Sequence, residues 1–234
     1  MTPANEAVVL LSGGQDSTTT LYLALQSHDR VYPVSVRYGQ RHAIEIDSAA
    51  SIVRLARSQG YDVEELQVLD APALSAACES GLTDDTATIE ADGRGGLPTS
   101  FVPGRNLLFL TLAAAVAYGR KAHDVWTGVC ETDFSGYPDC RRSTIDAMER
   151  ALSLGVGQAG TTEPWAIRVW TPLMWIDKAA TVRMARRLPG CWEAMALTHT
   201  CYYGQQPPCG DCPACEIRAR GFAQAGEADP LTDP

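Results

Sequence analysis

Residues 11–18 read Leu-Ser-Gly-Gly-Gln-Asp-Ser-Thr, and they constrain the fold of this chain more than any other stretch. They join a short, wholly apolar run at 7–11 to a helix-like run at about 17–27, so the chain opens as a buried strand, a glycine turn and a helix. The same alternation continues. Strand-like runs lie at 31–36, 62–68, 124–129 and 166–170, and helix-like runs at 41–57, 104–118, 142–154 and 177–188. Near-continuous apolar strands separated by helices predict an α/β fold, a Rossmann-like parallel sheet with helices on both faces. Such sheets take ligands at the carboxyl ends of their strands, where the first turn lies. Helix 104–118 is almost entirely apolar and is expected to be buried on most sides. Residues 83–99 are polar and glycine-rich and read as an excursion or lid, and 226–234 as a frayed tail.

The turn has two readings. A tight turn with Asp16 or Ser17 as helix N-cap is the plain one. An anion cradle is the other: Gly13 and Gly14 let backbone approach a phosphate, helix N–H groups favour negative charge, and Ser12, Ser17 and Thr18 add hydroxyl donors. The spacing fits neither G-x-x-x-x-G-K-[ST] nor G-x-G-x-x-G. A strand followed by S-G-G-x-D-S resembles the pyrophosphate loop of the ATP-pyrophosphatase family. The resemblance implies that Leu11, Ser12, Gly13, Gly14, Gln15, Asp16, Ser17 and Thr18 hold ATP. In that family a nucleophile attacks the α-phosphate and an adenylated intermediate results.

Charge narrows the partners. The 234 residues carry 19 Lys+Arg against 28 Asp+Glu, a formal net charge of −9, which argues against a dedicated nucleic-acid or anionic-membrane binder. The longest apolar stretch, 107–118, falls short of the roughly 20 residues of a membrane span. No segment reads as a secretory signal, so a cytoplasmic protein with reduced thiols is expected. Only two of the basic residues are lysines, Lys121 and Lys178.

Eight cysteines then point to metal or catalysis rather than disulfides. Cys201, Cys209, Cys212 and Cys215 form C-x₇-C-x₂-C-x₂-C, a spacing that closes a tetrahedral structural zinc site. An iron–sulfur cluster is the rival occupant, and His199 a rival ligand. One zinc per chain would fold residues 191–234 as a C-terminal zinc-binding segment behind an ATP-binding and catalytic domain at 1–190. Cys78 and Cys191 read as small packing residues, whereas Cys130 and Cys140 flank a polar loop and stay open.

Three further blocks follow strands or open helices. Phe101-Val-Pro-Gly-Arg-Asn106 places Arg105 and Asn106 where the helix dipole prefers acids, which points to a bound anion. The loop 130–141 follows a strand, and Thr171-Pro-Leu-Met-Trp-Ile-Asp-Lys178 opens a helix with one of the two lysines. With Arg37-Tyr-Gly-Gln-Arg-His42 and the cysteine cluster, these blocks resemble the 7-cyano-7-deazaguanine synthase family over nearly the whole chain. The run Gly128-Val-x-x-x-Asp-Phe-Ser-Gly-Tyr-Pro-Asp-Cys-Arg141 is the most discriminating. One departure is visible, Thr99-Ser100 where Ser-Thr is expected.

The resemblance implies that 7-carboxy-7-deazaguanine, ammonia and ATP give the nitrile through activated acid and amide intermediates, in a homodimer. Asp16 is then a magnesium contact or loop brace, and Lys178 and Arg105 neutralise phosphate or carboxylate charge. Asp133, Tyr137 and Asp139 become candidates for the deazaguanine edge, Asn106 for substrate contact, Arg141 for an anion, and Arg37 and Arg41 for support. Asp16, Arg105, Asp133 and Lys178 form the expected catalytic set. Rival readings are a related enzyme delivering the same acid to another amine, a tRNA-modifying sulfur transferase, and a zinc-ribbon interaction module on an inactive scaffold. The transferase needs a basic face that −9 does not encourage, and the intact turn opposes the module.

Overall fold

The structure, a computed structural model, describes residues 5–41, 44–78, 80–84, 86, 89, 96–132, 136–156 and 165–233. Five strands, β1 (Glu6–Leu10), β2 (Arg30–Arg37), β3 (Gln67–Asp70), β4 (Asp124–Trp126) and β5 (Arg168–Trp170), form one sheet in the order β3-β2-β1-β4-β5. All four pairings are parallel, and Ala7 stands opposite both Val31 and Asp124, so β1 is central.

The two-residue period of β1 divides the core. Ala7, Val9 and Leu11 pack on one face with α1 (Gln15–Ser27), α2 (Ile44–Ser58), Ala185 of α6 (Lys178–Arg187) and α7 (Cys191–Met195). Val8, Val34, Val125 and Val169 pack on the other with α4 (Arg105–Arg120) and α5 (Arg142–Val156). The described residues also form a short α3 (Ala73–Ala77) and the C-terminal α8 (Pro213–Ala225). Helices on both faces agree with the sequence expectation. Because β2 and β4 flank β1 on opposite sides, connections leaving β1 and β4 diverge and open a crevice at the carboxyl edge.

Four expectations need correction. Helix α1 starts at Gln15, with Gly14 as its N-cap, so Asp16 and Ser17 lie inside the first turn rather than capping it. The third strand is Gln67–Asp70, not 62–68: Val63 makes a single bridge to Val31, and the ladder begins only where Gln67 meets Val34. The apolar helix α4 is not covered on most sides. Leu110, Ala113, Ala114 and Ala117 are buried, but Leu107, Thr111, Ala115 and Tyr118 form an exposed stripe at helical spacing.

The tail is pinned rather than frayed. Buried Arg218 of α8 donates to Asp229 through Nε (2.6 Å) and Nη2 (2.7 Å), and to Thr198 Oγ1 through Nη1 (2.7 Å). Asp229 lies in the acidic tail, where its charge alone reads as solvated. Part of the 83–99 excursion lies outside the described residues; Leu82, Ile89 and Val102 pack against Val36 and Tyr38.

Replacing Asp229 with Ala leaves the Arg218 guanidinium buried without its carboxylate. We expect a loss of about 3 kcal/mol, the scale for breaking a buried ion pair. Urea denaturation reads it as a lower midpoint at unchanged slope, and an unchanged midpoint would deny the tail a structural role.

Candidate active site

The turn after β1 is shaped by its glycine. Gly13 has φ +87°, and a Cβ there would sit 2.1 Å from the Glu45 carbonyl oxygen and 2.9 Å from the Ala49 nitrogen. Only glycine allows α2 to approach so closely. The Gly13 carbonyl in turn accepts the His199 N–H at 2.9 Å, which ties the C-terminal region to the loop. Hydroxyls hold the rest: Ser17 Oγ lies 3.0 Å from Ser12 Oγ and donates to the Gly14 carbonyl at 3.0 Å, and Thr18 Oγ1 donates to the same carbonyl at 2.9 Å. Ser12 Oγ accepts the Gly14 N–H at 3.3 Å. Self-bracing of this kind leaves the first-turn N–H groups of α1 directed out of the helix, where an anion is favoured.

A cavity of about 340 Å³ opens above this loop at the carboxyl edge of β1, β2 and β4. Leu11, Ser12, Gly14, Gln15, Asp16 and Ser17 line it, while Gly13 and Thr18 shape the loop from behind. Gly128, just past β4, passes so near α1 that a Cβ would lie 3.0 Å from the Ser17 nitrogen. Lys178 Nζ reaches across to Asp16 Oδ2 at 2.6 Å. Asp16 Oδ1 is buried and accepts no hydrogen bond among the described residues, an oxygen suited to a divalent cation. Gly221 of α8 packs on the Lys178 stem, so close that a Cβ would fall 2.3 Å from Lys178 Cγ.

The far end of the cavity is aromatic and charged. Arg105, Asn106 and Tyr137, all expected at the site, line it, and Lys178 lines the cavity at the loop end. The Arg105 guanidinium lies over the Tyr137 ring, 5.7 Å from its centre. Tyr137 Oη is 2.6 Å from Ser100 Oγ, so the Thr99-Ser100 departure keeps the hydroxyl that positions this ring. Burial opposes the Arg105 charge, but Tyr38, Tyr137 and Tyr202 around it more than offset this and its pKa rises above the ordinary value. Glu45, which the sequence did not single out, lines the same end; burial pushes its carboxyl up to about 7 against the pull of Arg105. An acid in the first turn of a helix is unremarkable in a sequence, so no local signal marked it.

Other expected residues stand elsewhere. Asp139 is buried and its carboxylate accepts the Asn106 N–H at 3.1 Å, capping α4, and it does not line the cavity. Arg141 also lies off the cavity wall, and Asp133 and His42 lie outside the described residues. Arg37 pairs at the surface with Asp70 at 3.0 Å, whereas Arg41 lines the cavity and donates to the Gly81 carbonyl at 3.1 Å. Cys130 and Cys140 both line it. Cys140 accepts from Asn106 Nδ2 at 3.3 Å, and its thiol is pushed up to about 12 by burial and by Asp139, so it stays protonated. Cys191 is wholly buried in the core and Cys78 packs beside Leu74, as small apolar residues.

Cys201, Cys209, Cys212 and Cys215 gather their sulfurs within 4.8 Å of one another, with Cys209 Sγ and Cys215 Sγ 3.8 Å apart. Tetrahedral bonds of about 2.3 Å to zinc imply sulfur separations of roughly 3.8 Å, so four thiolates so placed can hold a metal ion. Tyr202, next to the first of them, lines the aromatic end of the cavity.

The chain is 47% identical over 235 residues to a 7-cyano-7-deazaguanine synthase of Chromobacterium violaceum, covering 97% of this chain and 93% of that one. It is 46% identical over 225 residues to a protein of that name from Laribacter hongkongensis, covering 96% and 93%. Among solved structures, a 4-thiouridine synthetase–RNA complex with bound ATP superposes with a TM-score of 0.52 at 19% identity. The match covers 95% of this chain and 50% of that one, a likeness of fold. Among the described residues, no helix is long and apolar enough to cross a membrane. The family pattern described as "Queuosine biosynthesis protein QueC" matches residues 6–226, and the chain belongs to that family.

Proposed function

We propose that this protein is an ATP-dependent carbon–nitrogen ligase that converts 7-carboxy-7-deazaguanine and ammonia to 7-cyano-7-deazaguanine. The observation that carries the reading is the meeting, in one cavity, of the Ser12–Ser17 loop, Lys178 and Arg105 in a chain of this family. Delivery of the same acid to another amine is not favoured, since the relatives are named for the nitrile.

The chemistry follows from what the cavity offers. A carboxylate does not react with ammonia at neutral pH because its oxygen is a poor leaving group. Attack of that oxygen on the α-phosphate of ATP expels pyrophosphate and makes the oxygen part of an adenylate, and ammonia then displaces AMP, losing a proton, to give the amide. Activation of the amide oxygen in the same way, with loss of two N–H protons, leaves the nitrile. The protein's tasks are therefore to align two anions and to neutralise charge.

Backbone N–H groups and hydroxyls at 12–17 would hold the phosphates. Lys178, released from Asp16, would neutralise the transferring charge. Asp16, with its open Oδ1, would bind Mg²⁺, an ion that supplies charge neutralisation to the phosphates when present. Cys201, Cys209, Cys212 and Cys215 would hold one structural Zn²⁺ that folds the 191–234 segment. A cytoplasmic setting suits eight cysteines of which none is paired in a disulfide. The exposed stripe of α4, with Leu107 and Tyr118, supports a homodimer, and the net charge of −9 supports small-molecule rather than nucleic-acid partners.

Incubation with the acid, ammonium and ATP tests the activity directly: mass spectrometry finds the nitrile, and its absence with metal-loaded protein contradicts the reading. Lys178→Ala should lower turnover at least a hundredfold, roughly what removal of one charge-stabilising donor costs. Wild-type turnover in that variant would remove Lys178 from the chemistry. Gly221→Ala should displace the Lys178 stem and slow turnover while metal content stays constant; unchanged kinetics would show the contact to be incidental. Elemental analysis should give one zinc per chain without visible absorbance, whereas iron with visible absorbance indicates a cluster. Cys212→Ser should lower the melting temperature together with the zinc content.

A further inference from the structure

Among the cavity's charged side chains, Glu45 has no part in the chemistry above. It stands in the first turn of α2, partly exposed to the cavity, and among the described residues no hydrogen-bond donor reaches its carboxylate. Tyr38, Arg105, Tyr137 and Tyr202 surround this end, with Phe109 on the apolar wall. Aromatic walls of this kind suit a planar ring. A carboxylate held among them without donors is costly unless a ligand supplies those donors.

The polarity of the pair decides which ring fits. A guanine-type edge presents a ring N–H and an exocyclic amine side by side, with a carbonyl next to them. One carboxylate can accept from both donors while a neighbouring guanidinium donates to the carbonyl. An adenine edge offers the carboxylate one donor only. Position agrees as well. The Glu45 backbone lies against Gly13, so the residue that would hold the ring starts from the edge of the phosphate loop in the same cavity.

On the reading that the acid is the substrate, we propose that Glu45 recognises the donor edge of its deazaguanine ring, with Arg105 donating to the ring carbonyl. Asp139 cannot serve this role while it caps α4. Glu45 is a specificity residue, separate from the groups that act on the phosphates.

The pH dependence of ring binding follows. Burial places the Glu45 carboxyl near 7, whereas Tyr38 and Tyr202 are pushed above their usual range by burial and Arg105 stays charged. Of these four groups Glu45 is the one that changes charge near neutrality; Arg41 and His199 line the same cavity. Accepting two donors requires the ionised form, so KM for the acid should fall as pH rises from 6 to 8.

The test is Glu45→Gln in the full chain, with KM for the acid and for ATP measured separately across that pH range. Loss of a bidentate contact corresponds to a tenfold to hundredfold rise in KM for the acid. KM for ATP should stay within threefold, and the pH dependence of the acid KM should flatten. Wild type should also discriminate against the analogue without the exocyclic amine, and the variant should lose that discrimination. A rise in KM for ATP alone would place adenine against Glu45 and overturn the proposal, as would unchanged values of both.

Stability separates folding from recognition. Because the folded state raises the Glu45 pKa above its ordinary 4.5, ionisation costs stability as pH rises through this interval. Glu45→Gln should therefore melt no lower than wild type at pH 8. If it does melt lower, Glu45→Asp must recover discrimination against the analogue; failure to do so overturns the proposal. Calorimetric binding of the acid without ATP keeps the two readings apart. Binding to wild type and its loss in the variant support Glu45 even if no nitrile forms, and absence of binding to wild type overturns both.

Discussion

The close approach at Gly13 is the constraint on which the site depends. This residue must be a left-handed glycine, because the Glu45 carbonyl occupies the space where a side chain would be, and its own carbonyl receives the His199 N–H at 2.9 Å. Three parts of the chain distant in sequence therefore share one turn. The phosphate loop, the start of α2 with Glu45, and the segment leading to the cysteine cluster are registered against each other by backbone packing. Side chains at the two ends of the cavity inherit their spacing from it.

The C-terminal segment is better understood as part of this framework than as an appendage. Arg218 joins α8 to the tail through Asp229 and to the core through Thr198, the residue before His199. Gly221 presses on the Lys178 stem, and Tyr202, beside a cysteine of the cluster, forms cavity wall. A metal bound by the four cysteines would hold these contacts in place without touching a reactant. That division of labour suits a closed thiolate site.

Much of the fold was legible in the sequence because the central strands are buried on both faces, and buried strands read as unbroken apolar runs. The runs at 7–11 and 31–36 lie on β1 and β2 for this reason. The edge strand is different. Gln67–Asp70 has a solvated side and no such run, and Val63 upstream makes only a bridge to Val31, so no unbroken apolar run marked where the ladder begins. Composition likewise shows that α4 is apolar, but not whether neighbours of its own chain or another surface covers Leu107 and Tyr118. At the site, residues with unusual spacing were legible and residues with ordinary spacing were not. Ser12 to Ser17, Arg105, Tyr137 and Lys178 came together as expected. Glu45 looked like a common first-turn acid, and Asp139 looked like a ligand residue because a cap made across more than thirty residues leaves no local pattern.

If the cavity activates each carboxyl oxygen in turn, both must leave on phosphate. The most direct measurement uses 7-carboxy-7-deazaguanine with oxygen-18 at both carboxyl positions, together with ammonium and ATP. The account predicts unlabelled nitrile, with the label recovered on the nucleotide or phosphate product. Recovery of either label in water, or labelled amide that never becomes nitrile, would contradict it.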